Sequence, residues 1–226
     1  MKFNILTLFP DMFPGPLNHS ISGKALDNKK YSIKAYDIRN FSGTSNKSVD
    51  DTPFGGGAGM VMRADVLDKA LNFVKNKNEG IHTASIYLTP SGEKLDQKMI
   101  KRIVKYDNLI LLCGRYEGVD QRFLDHNQIK EVSIGDYILA GGEIAAFVLI
   151  EACIRLIPDV LGNNKSLINE SFEDYLLENF LLNRIEDLHK QNIKLKILGS
   201  EKFSSKLNKL LNNCERKTSK NSKLQI

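Results

Sequence analysis

Apolar residues occur along this chain in short, almost continuous runs, and longer amphipathic stretches separate these runs. Phe3–Phe9 is apolar at nearly every position and is stopped by Pro10, which is typical of a strand buried on both faces of a parallel sheet. Arg63–Lys75 instead places its apolar side chains at helical spacing. Strands that alternate with helices in this way predict an α/β fold with a parallel sheet.

The same patterns predict the other elements as far as Leu156. Further strands are expected at Tyr31–Ile38, Ser85–Leu88, Leu109–Cys113 and Ile129–Ile134. Further helices are expected at Leu17–Leu26, Leu95–Tyr106, Asp120–Asp125 and Glu143–Leu156. The glycine run at Gly55–Gly59 is expected to be too flexible for regular structure.

Composition is that of a globular protein, with 42% hydrophobic and 26% charged residues among 226. No apolar run approaches the roughly 20 residues that a membrane span needs, and the start lacks the small-residue cleavage site of a signal peptide. The chain is therefore expected to stay in the cytosol. Cys113, Cys153 and Cys214 lie far apart, which predicts neither a disulfide framework nor a zinc site.

Positive charge is concentrated near the C-terminus. Residues 1–159 contain 20 Lys or Arg against 19 Asp or Glu, whereas residues 190–226 contain 10 against 2. A basic tail can hold a polyanion through phosphate contacts, and a solvated, disordered end has the same composition. Both interpretations stay open at this point.

Glycine-rich turns follow three of the predicted strands. Thr89–Gly92 follows the third, Gly114–Gly118 follows the fourth, and the stretch Ile134–Gly142 follows the fifth. The carboxyl ends of parallel strands open into a crevice, and glycines there let the backbone come within hydrogen-bonding distance of a ligand. We therefore expect these loops to line one pocket.

Several common chemistries lack their motifs here. The chain has no phosphate-binding G-x-x-x-x-G-K-[ST] loop, no G-x-G-x-x-G after the first strand and no G-x-S-x-G elbow. Its four histidines lie outside the glycine loops, so no metal site is expected; they are His19, His82, His126 and His189.

What remains is a pocket built mainly of backbone groups, and it suits a neutral aromatic head with a polar, positively charged tail. Aromatic rings and a few charges complete it: Tyr87, Tyr116, Tyr137, Arg115, Glu117, Asp136 and Glu143. The alternative is that the glycines serve tight turns and that the charges cap the following helices, with Glu143 in a first helical turn.

Five segments in order resemble the bacterial tRNA (guanine-N1)-methyltransferase family of the SPOUT superfamily: VDDTPFGGGAGMVM, IYLTPSGEKLDQ, LLCGRYEGVDQR, VSIGDYILAGGE and RLIPDVLG. The resemblance covers residues 1–162. It implies a SPOUT-type α/β domain with a parallel sheet and a deep trefoil knot, S-adenosylmethionine (S-adenosyl-L-methionine) as methyl donor, and a homodimer with active sites between the subunits. Such knots are rare, and the strand pattern alone does not predict one.

The family motifs assign donor-binding positions to the three glycine-containing loops. Glu117 would face the positive end of the methionine moiety. The positions that the resemblance implies are Tyr87, Leu88, Pro90, Gly114, Glu117, Ile134, Gly135, Asp136, Tyr137, Ile138, Leu139, Gly141 and Gly142.

Two further side chains are assigned to catalysis by the same resemblance. N1 of guanine must lose a proton, which calls for a general base and for a cation near O6. Arg155 matches the arginine of RLIPDVLG, and Glu170 stands where the family usually has aspartate. The alternative is that Glu170, Glu173 and Asp174 only charge the start of a helix.

The C-terminal part departs from the family pattern. We interpret residues 1–160 as the methyltransferase domain, 161–175 as a flexible linker, and 176–226 as a small helical domain that binds tRNA in the family and is diverged or incomplete here. Only LLNRI and LKILGSEKF remain of the family's later segments, with Arg184 as a weak match. Divergence and a shifted reading frame both explain this.

Three functions are therefore compatible with the sequence. The first is methylation of N1 of the guanine 3′ to the anticodon of tRNA, and the second is a dimeric RNA- or ligand-binding protein that keeps the donor pocket without catalysis. The third is methylation of another RNA.

Overall fold

The computed structural model describes residues 1–53, 56 and 59–161, and the element bounds below refer to these. The strands are β1 (Lys2–Thr7), β2 (Ser32–Asp37), β3 (Asp50–Asp51), β4 (Val61–Met62), β5 (Thr83–Lys94), β6 (Asn108–Cys113) and β7 (Lys130–Ser133). The helices are α1 (Ser20–Asp27), α2 (Ala64–Lys77), α3 (Gln97–Ile103), α4 (Gln121–His126) and α5 (Gly142–Ile154). Short 3-10 turns occur at Pro10–Met12, Gly15–Asn18 and Ile38–Phe41.

Five strands form one sheet in the order β2, β1, β6, β5, β7, and every neighbouring pair is parallel. The central strand β6 is buried at all six positions. The two-residue strands β3 and β4 pair separately and antiparallel. The parallel α/β sheet predicted from the alternation of strands and helices is confirmed.

Helices cover both faces of this sheet. Along β6, Leu109, Leu111 and Cys113 point into the core shared with α1, α3 and α5, whereas Ile110 and Leu112 point into the core shared with α2 and α4. A strand with an apolar core on each side needs apolar residues at consecutive positions. This double burial explains the uninterrupted apolar runs in the sequence.

Side-chain caps set where two of the helices begin. The Asp96 carboxylate accepts a hydrogen bond from the Met99 N–H at 2.7 Å, and α3 therefore begins at Gln97, two residues later than predicted. Asp120 caps α4 in the same way through the Arg122 N–H at 2.9 Å. Each carboxylate satisfies an N–H group that has no partner within the helix.

The end of β5 differs from the prediction. We expected the strand to end at Leu88, but the chain pairs with β7 a second time, so that Leu88 and Glu93 both lie opposite Val132. Thr89–Gly92 bulges out between the two pairings. A Cβ atom on Gly92 would clash with the backbone of Val132, so only glycine permits this return to the sheet. The predicted strand end was therefore wrong, because the pairing partner is remote in sequence.

Cys113 and Cys153 are buried and carry free thiols, and Cys214 lies outside the described residues. Among the helices of the described part of the chain, none has the length and apolar character needed to cross a membrane.

Candidate ligand-binding site

A cavity of about 260 Å³ lies beside the bulge of β5 and at the carboxyl ends of β6 and β7. Its walls come from the start of the β5 bulge, from the loop after β6 and from the loop between β7 and α5. This volume is near the lower end of ligand pockets, which span roughly 300–1,000 Å³. The expectation that the three glycine-containing loops line one pocket is confirmed.

Twelve of the thirteen predicted donor-binding residues line this cavity: Tyr87, Leu88, Pro90, Gly114, Glu117, Ile134, Gly135, Tyr137, Ile138, Leu139, Gly141 and Gly142. Asp136 is the exception. Its side chain is 91% exposed and lies 3.9 Å from the Lys94 Nζ atom, outside the lining. The motif match places Asp136 in this loop but does not fix the direction in which its side chain points.

The cavity is narrow because backbone and aromatic groups approach each other closely. A Cβ atom on Gly114 would lie 2.7 Å from the Tyr87 ring, so the glycine creates room that any side chain would fill. Tyr116 and Gly118 in the same loop have φ angles of 58° and 111°. The loop after β6 is therefore a sharp turn that exposes its backbone to the cavity.

The segment after the glycine run supports this turn from outside. The Glu117 N–H donates to the Met60 carbonyl and the Met62 N–H donates to the Gly118 carbonyl, both at 2.9 Å. Gly59 has a φ of 96° and lies against the Glu117 side chain. Flexibility alone was predicted for the glycine run, and no pattern in the sequence indicates this support; residues 54, 55, 57 and 58 lie outside the described residues.

Arg115, which lines the cavity and is 23% exposed, pairs with the buried Glu143 behind it. The Glu143 carboxylate is 1% exposed, lies 2.8 Å from Arg115 Nη2 and accepts the Thr7 hydroxyl at 2.7 Å. Arg115 Nη1 donates to the Ala140 carbonyl at 3.0 Å. Glu143 does occupy the first turn of α5, as the capping alternative required, but its carboxylate serves these tertiary contacts. No local sequence pattern indicates that Thr7 contacts Glu143, because the two residues are 136 positions apart.

Burial raises the pKa of two groups in this region, the Tyr87 phenol, which lines the cavity, and the Cys113 thiol at the end of β6. Burial raises the pKa of the Tyr87 phenol, the Glu131 charge adds to the increase, and a hydrogen bond with Thr89 opposes it. Burial and the nearby Glu143 charge raise the pKa of the Cys113 thiol well above its usual value. A thiol that stays protonated is a poor nucleophile.

Arg155 lies apart from the cavity lining. It follows the last residue of α5, its N–H donates to the Glu151 carbonyl at 3.3 Å, and its side chain is exposed. Glu170, Arg184, the linker and the basic tail lie outside the described residues. His19, His82 and His126 are exposed and do not line the cavity, and His189 also lies outside the described residues.

Comparison with known proteins gives one consistent result. The family described as "tRNA (Guanine-1)-methyltransferase TrmD" matches residues 1–225. The chain is 55% identical over 174 residues to a tRNA (guanine-N(1)-)-methyltransferase of Rhodospirillum rubrum, which covers 77% of this chain and 71% of the relative. It is 49% identical over 172 residues to the protein of that name in Ehrlichia canis, covering 76% and 72%. For the Pelagibacter ubique relative the identity is 51% over 174 residues, covering 77% and 75%.

Proposed function

Because this chain belongs to the tRNA (guanine-1)-methyltransferase family, we propose that it transfers the methyl group of S-adenosylmethionine to N1 of the guanine 3′ to the anticodon of tRNA. The observation that carries this proposal is the cavity beside the bulge of β5 and at the ends of β6 and β7, which twelve residues of the family motifs line. The buried thiols of Cys113 and Cys153 fit a reducing compartment such as the cytoplasm.

The lining suits the donor in both shape and polarity. Backbone groups of the sharp turn and of Ile134–Gly142 offer hydrogen bonds to a purine, and the Tyr87 phenol stays neutral beside them. Glu117 supplies a carboxylate for the cationic part of the molecule. When bound, S-adenosylmethionine supplies a methyl group that its positively charged sulfur already activates. The protein therefore has mainly to orient both partners and exclude water.

The acceptor needs more help than the donor. Glu170 accepts the proton of guanine N1 as a general base, which makes the nitrogen nucleophilic. The guanidinium of Arg155 stabilises the negative charge that develops on O6. Since Arg155 lies outside the cavity, the donor and the acceptor are held by different parts of the protein.

We also propose that the enzyme is a homodimer with active sites between its subunits. Apart from Glu143 and Glu151, α5 has no charged residue, a composition that normally indicates burial, yet Ile144 is 50% and Val148 46% exposed. Ile138, which lines the cavity, is 82% exposed. Large apolar side chains exposed in this number are typical of a protein interface. A second copy would cover this surface and bring its own residues to the cavity.

The trefoil knot of the family is part of this proposal. The domain division proposed for residues 1–160, 161–175 and 176–226 follows the family as well.

Methyl transfer from labelled S-adenosylmethionine to a tRNA transcript tests the activity. We expect labelled product with a transcript that carries guanine 3′ to the anticodon, and none when adenine replaces that guanine alone. Equal labelling of both transcripts would favour another RNA site. Donor binding without transfer to either transcript would favour the binding protein that has lost catalysis.

Removal of residues 204–226 tests the role of the basic tail. This segment contains six Lys or Arg and one Glu, and phosphate contacts by some of the cations would make tRNA binding salt-dependent. We expect the truncated protein to bind tRNA more weakly and with a slope of log K against log salt that is smaller by about 0.7–0.9 for each phosphate that the tail neutralises. Titrations by filter binding at several salt concentrations measure this slope. An unchanged slope would assign the tail to solvent.

A further inference from the structure

We propose that Glu143 is a positioning residue for donor binding, which together with Thr7 holds Arg115 as a neutral pair across the Ala140–Gly142 segment of the cavity wall. The inference rests on the proposed function and adds a requirement to it. Neither Glu143 nor Thr7 contacts a reacting atom, so both act on donor binding through Arg115.

The contacts of Arg115 connect three separate parts of the protein. Its guanidinium lies 2.8 Å from Glu143 at the start of α5, donates to the Ala140 carbonyl at 3.0 Å and lies 4.5 Å from the centre of the Phe9 ring. The Thr7 hydroxyl, at the end of β1, donates to the other oxygen of Glu143. One side chain thus fixes the loop before α5 to the ends of β1 and β6.

The fit between Arg115 and the loop leaves no spare room. A Cβ atom on Gly141 would clash with the guanidinium, so the backbone of this segment lies directly against Arg115. Arg115 Nε is buried and has no hydrogen-bond partner among the described residues. Glu143 therefore both holds the Arg115 guanidinium in position and compensates its charge. The Glu143 side chain is itself 1% exposed.

The ion pair of Arg115 and Glu143 also sets the net charge at this part of the cavity wall. Without its carboxylate, the partly exposed guanidinium of Arg115 is an uncompensated positive charge in the cavity wall, and it repels another cation bound in the cavity. The donor proposed here carries a positive sulfur. Loss of Glu143 would therefore weaken binding of S-adenosylmethionine more than binding of S-adenosylhomocysteine, which has the same parts but an uncharged sulfur.

The test measures dissociation constants for both ligands by calorimetry on the full chain. We expect Glu143→Gln to weaken S-adenosylmethionine binding about tenfold or more, because the uncompensated positive charge of Arg115 in the cavity wall repels the positive sulfur. We expect a smaller loss for S-adenosylhomocysteine. Thr7→Val should weaken donor binding in the same direction, and Thr7→Ser, which keeps the hydroxyl, should restore it.

A double-mutant cycle with Arg115→Met separates positioning from a general loss of stability. If Glu143 acts through Arg115, then Glu143→Gln should change the dissociation constant of S-adenosylhomocysteine, whose sulfur is uncharged, by less than about twofold in the Arg115→Met background. Equal effects in both backgrounds would overturn the inference. So would equal weakening of the two ligands, because a purely structural defect does not distinguish the charge on sulfur.

Asp65→Asn provides the matched control, because Asp65 is the carboxylate partner of Arg63 in an exposed ion pair at 2.9 Å on another helix. We expect it to leave both dissociation constants unchanged. Thermal unfolding and circular dichroism establish that each variant is folded. If the wild-type chain failed to bind S-adenosylmethionine, the proposed function itself would fail; normal binding by both the wild type and Glu143→Gln would refute only this inference.

Discussion

Arg155→Ala is expected to lower the rate of methyl transfer by about 10²–10³-fold, the usual cost of removing one group that stabilises developing negative charge. Donor affinity should stay within about twofold of the wild type, because Arg155 is exposed and does not line the cavity that we assign to the donor. Single-turnover assays with saturating tRNA measure the first quantity, and calorimetry with S-adenosylmethionine measures the second.

Two further variants serve as controls for Arg155→Ala. Arg102→Ala removes an exposed arginine from the end of α3, where it pairs with Glu93 at 3.1 Å, and should leave transfer unchanged. Arg155→Lys should recover part of the rate, because it keeps a positive charge without the planar guanidinium. Parallel loss of donor affinity and transfer in Arg155→Ala would make Arg155 a structural residue instead.

Glu170→Gln should cost about 10²–10⁴-fold in the transfer step, the range expected when a general base is removed. The amide has the same shape as the carboxylate but cannot take the proton from guanine N1. Glu170→Asp should keep activity, because aspartate is the residue that the resemblance leads us to expect at this position. Single-turnover rates with the tRNA transcript measure all three forms.

Glu173→Gln is the matched control for this experiment, since it removes a carboxylate three residues further along the same segment. It should leave transfer within about twofold of the wild type. An equal loss in Glu170→Gln and Glu173→Gln would mean that these carboxylates only charge the start of a helix. Full activity of Glu170→Gln would place the base elsewhere.

A mixture of the two inactive variants tests the subunit arrangement. If each active site takes Arg155 from one chain and Glu170 from the other, mixed dimers of Arg155→Ala and Glu170→Gln contain one site with both native residues, and transfer should reappear. An inactive mixture that forms mixed dimers would mean that both residues of a site come from one chain.

Much of the fold could be predicted because its signals are local. Phe3–Phe9 is apolar at nearly every position because β1 has a core on each face, and Arg63–Lys75 has helical periodicity because one side of α2 is buried. The cavity could be predicted for a related reason. Glycines after β6 and β7 mark backbone turns at the carboxyl ends of parallel strands, where such sheets bind ligands.

The contacts that complete the site could not be predicted in this way. Thr7 and Glu143 are 136 residues apart, and neither carries a pattern that indicates its partner. The continuation of β5 to Lys94 depends on Val132 of β7, and the support of Glu117 depends on Met60. Each involves two segments whose proximity is known only once the strand order is known.

The strand order also limits how fast the protein can form. In the centre of the sheet Lys2 of β1 lies opposite Asn108 of β6. During synthesis, β1 therefore cannot pair with β6 until 106 more residues have been added. At a synthesis rate of about 5–20 residues per second this delay is roughly 5–20 s. During that time β1 can pair only with β2 and has one open edge, which is a site for wrong pairing between chains. Correct assembly of this enzyme therefore depends on events during translation as well as on the contacts of the finished sheet.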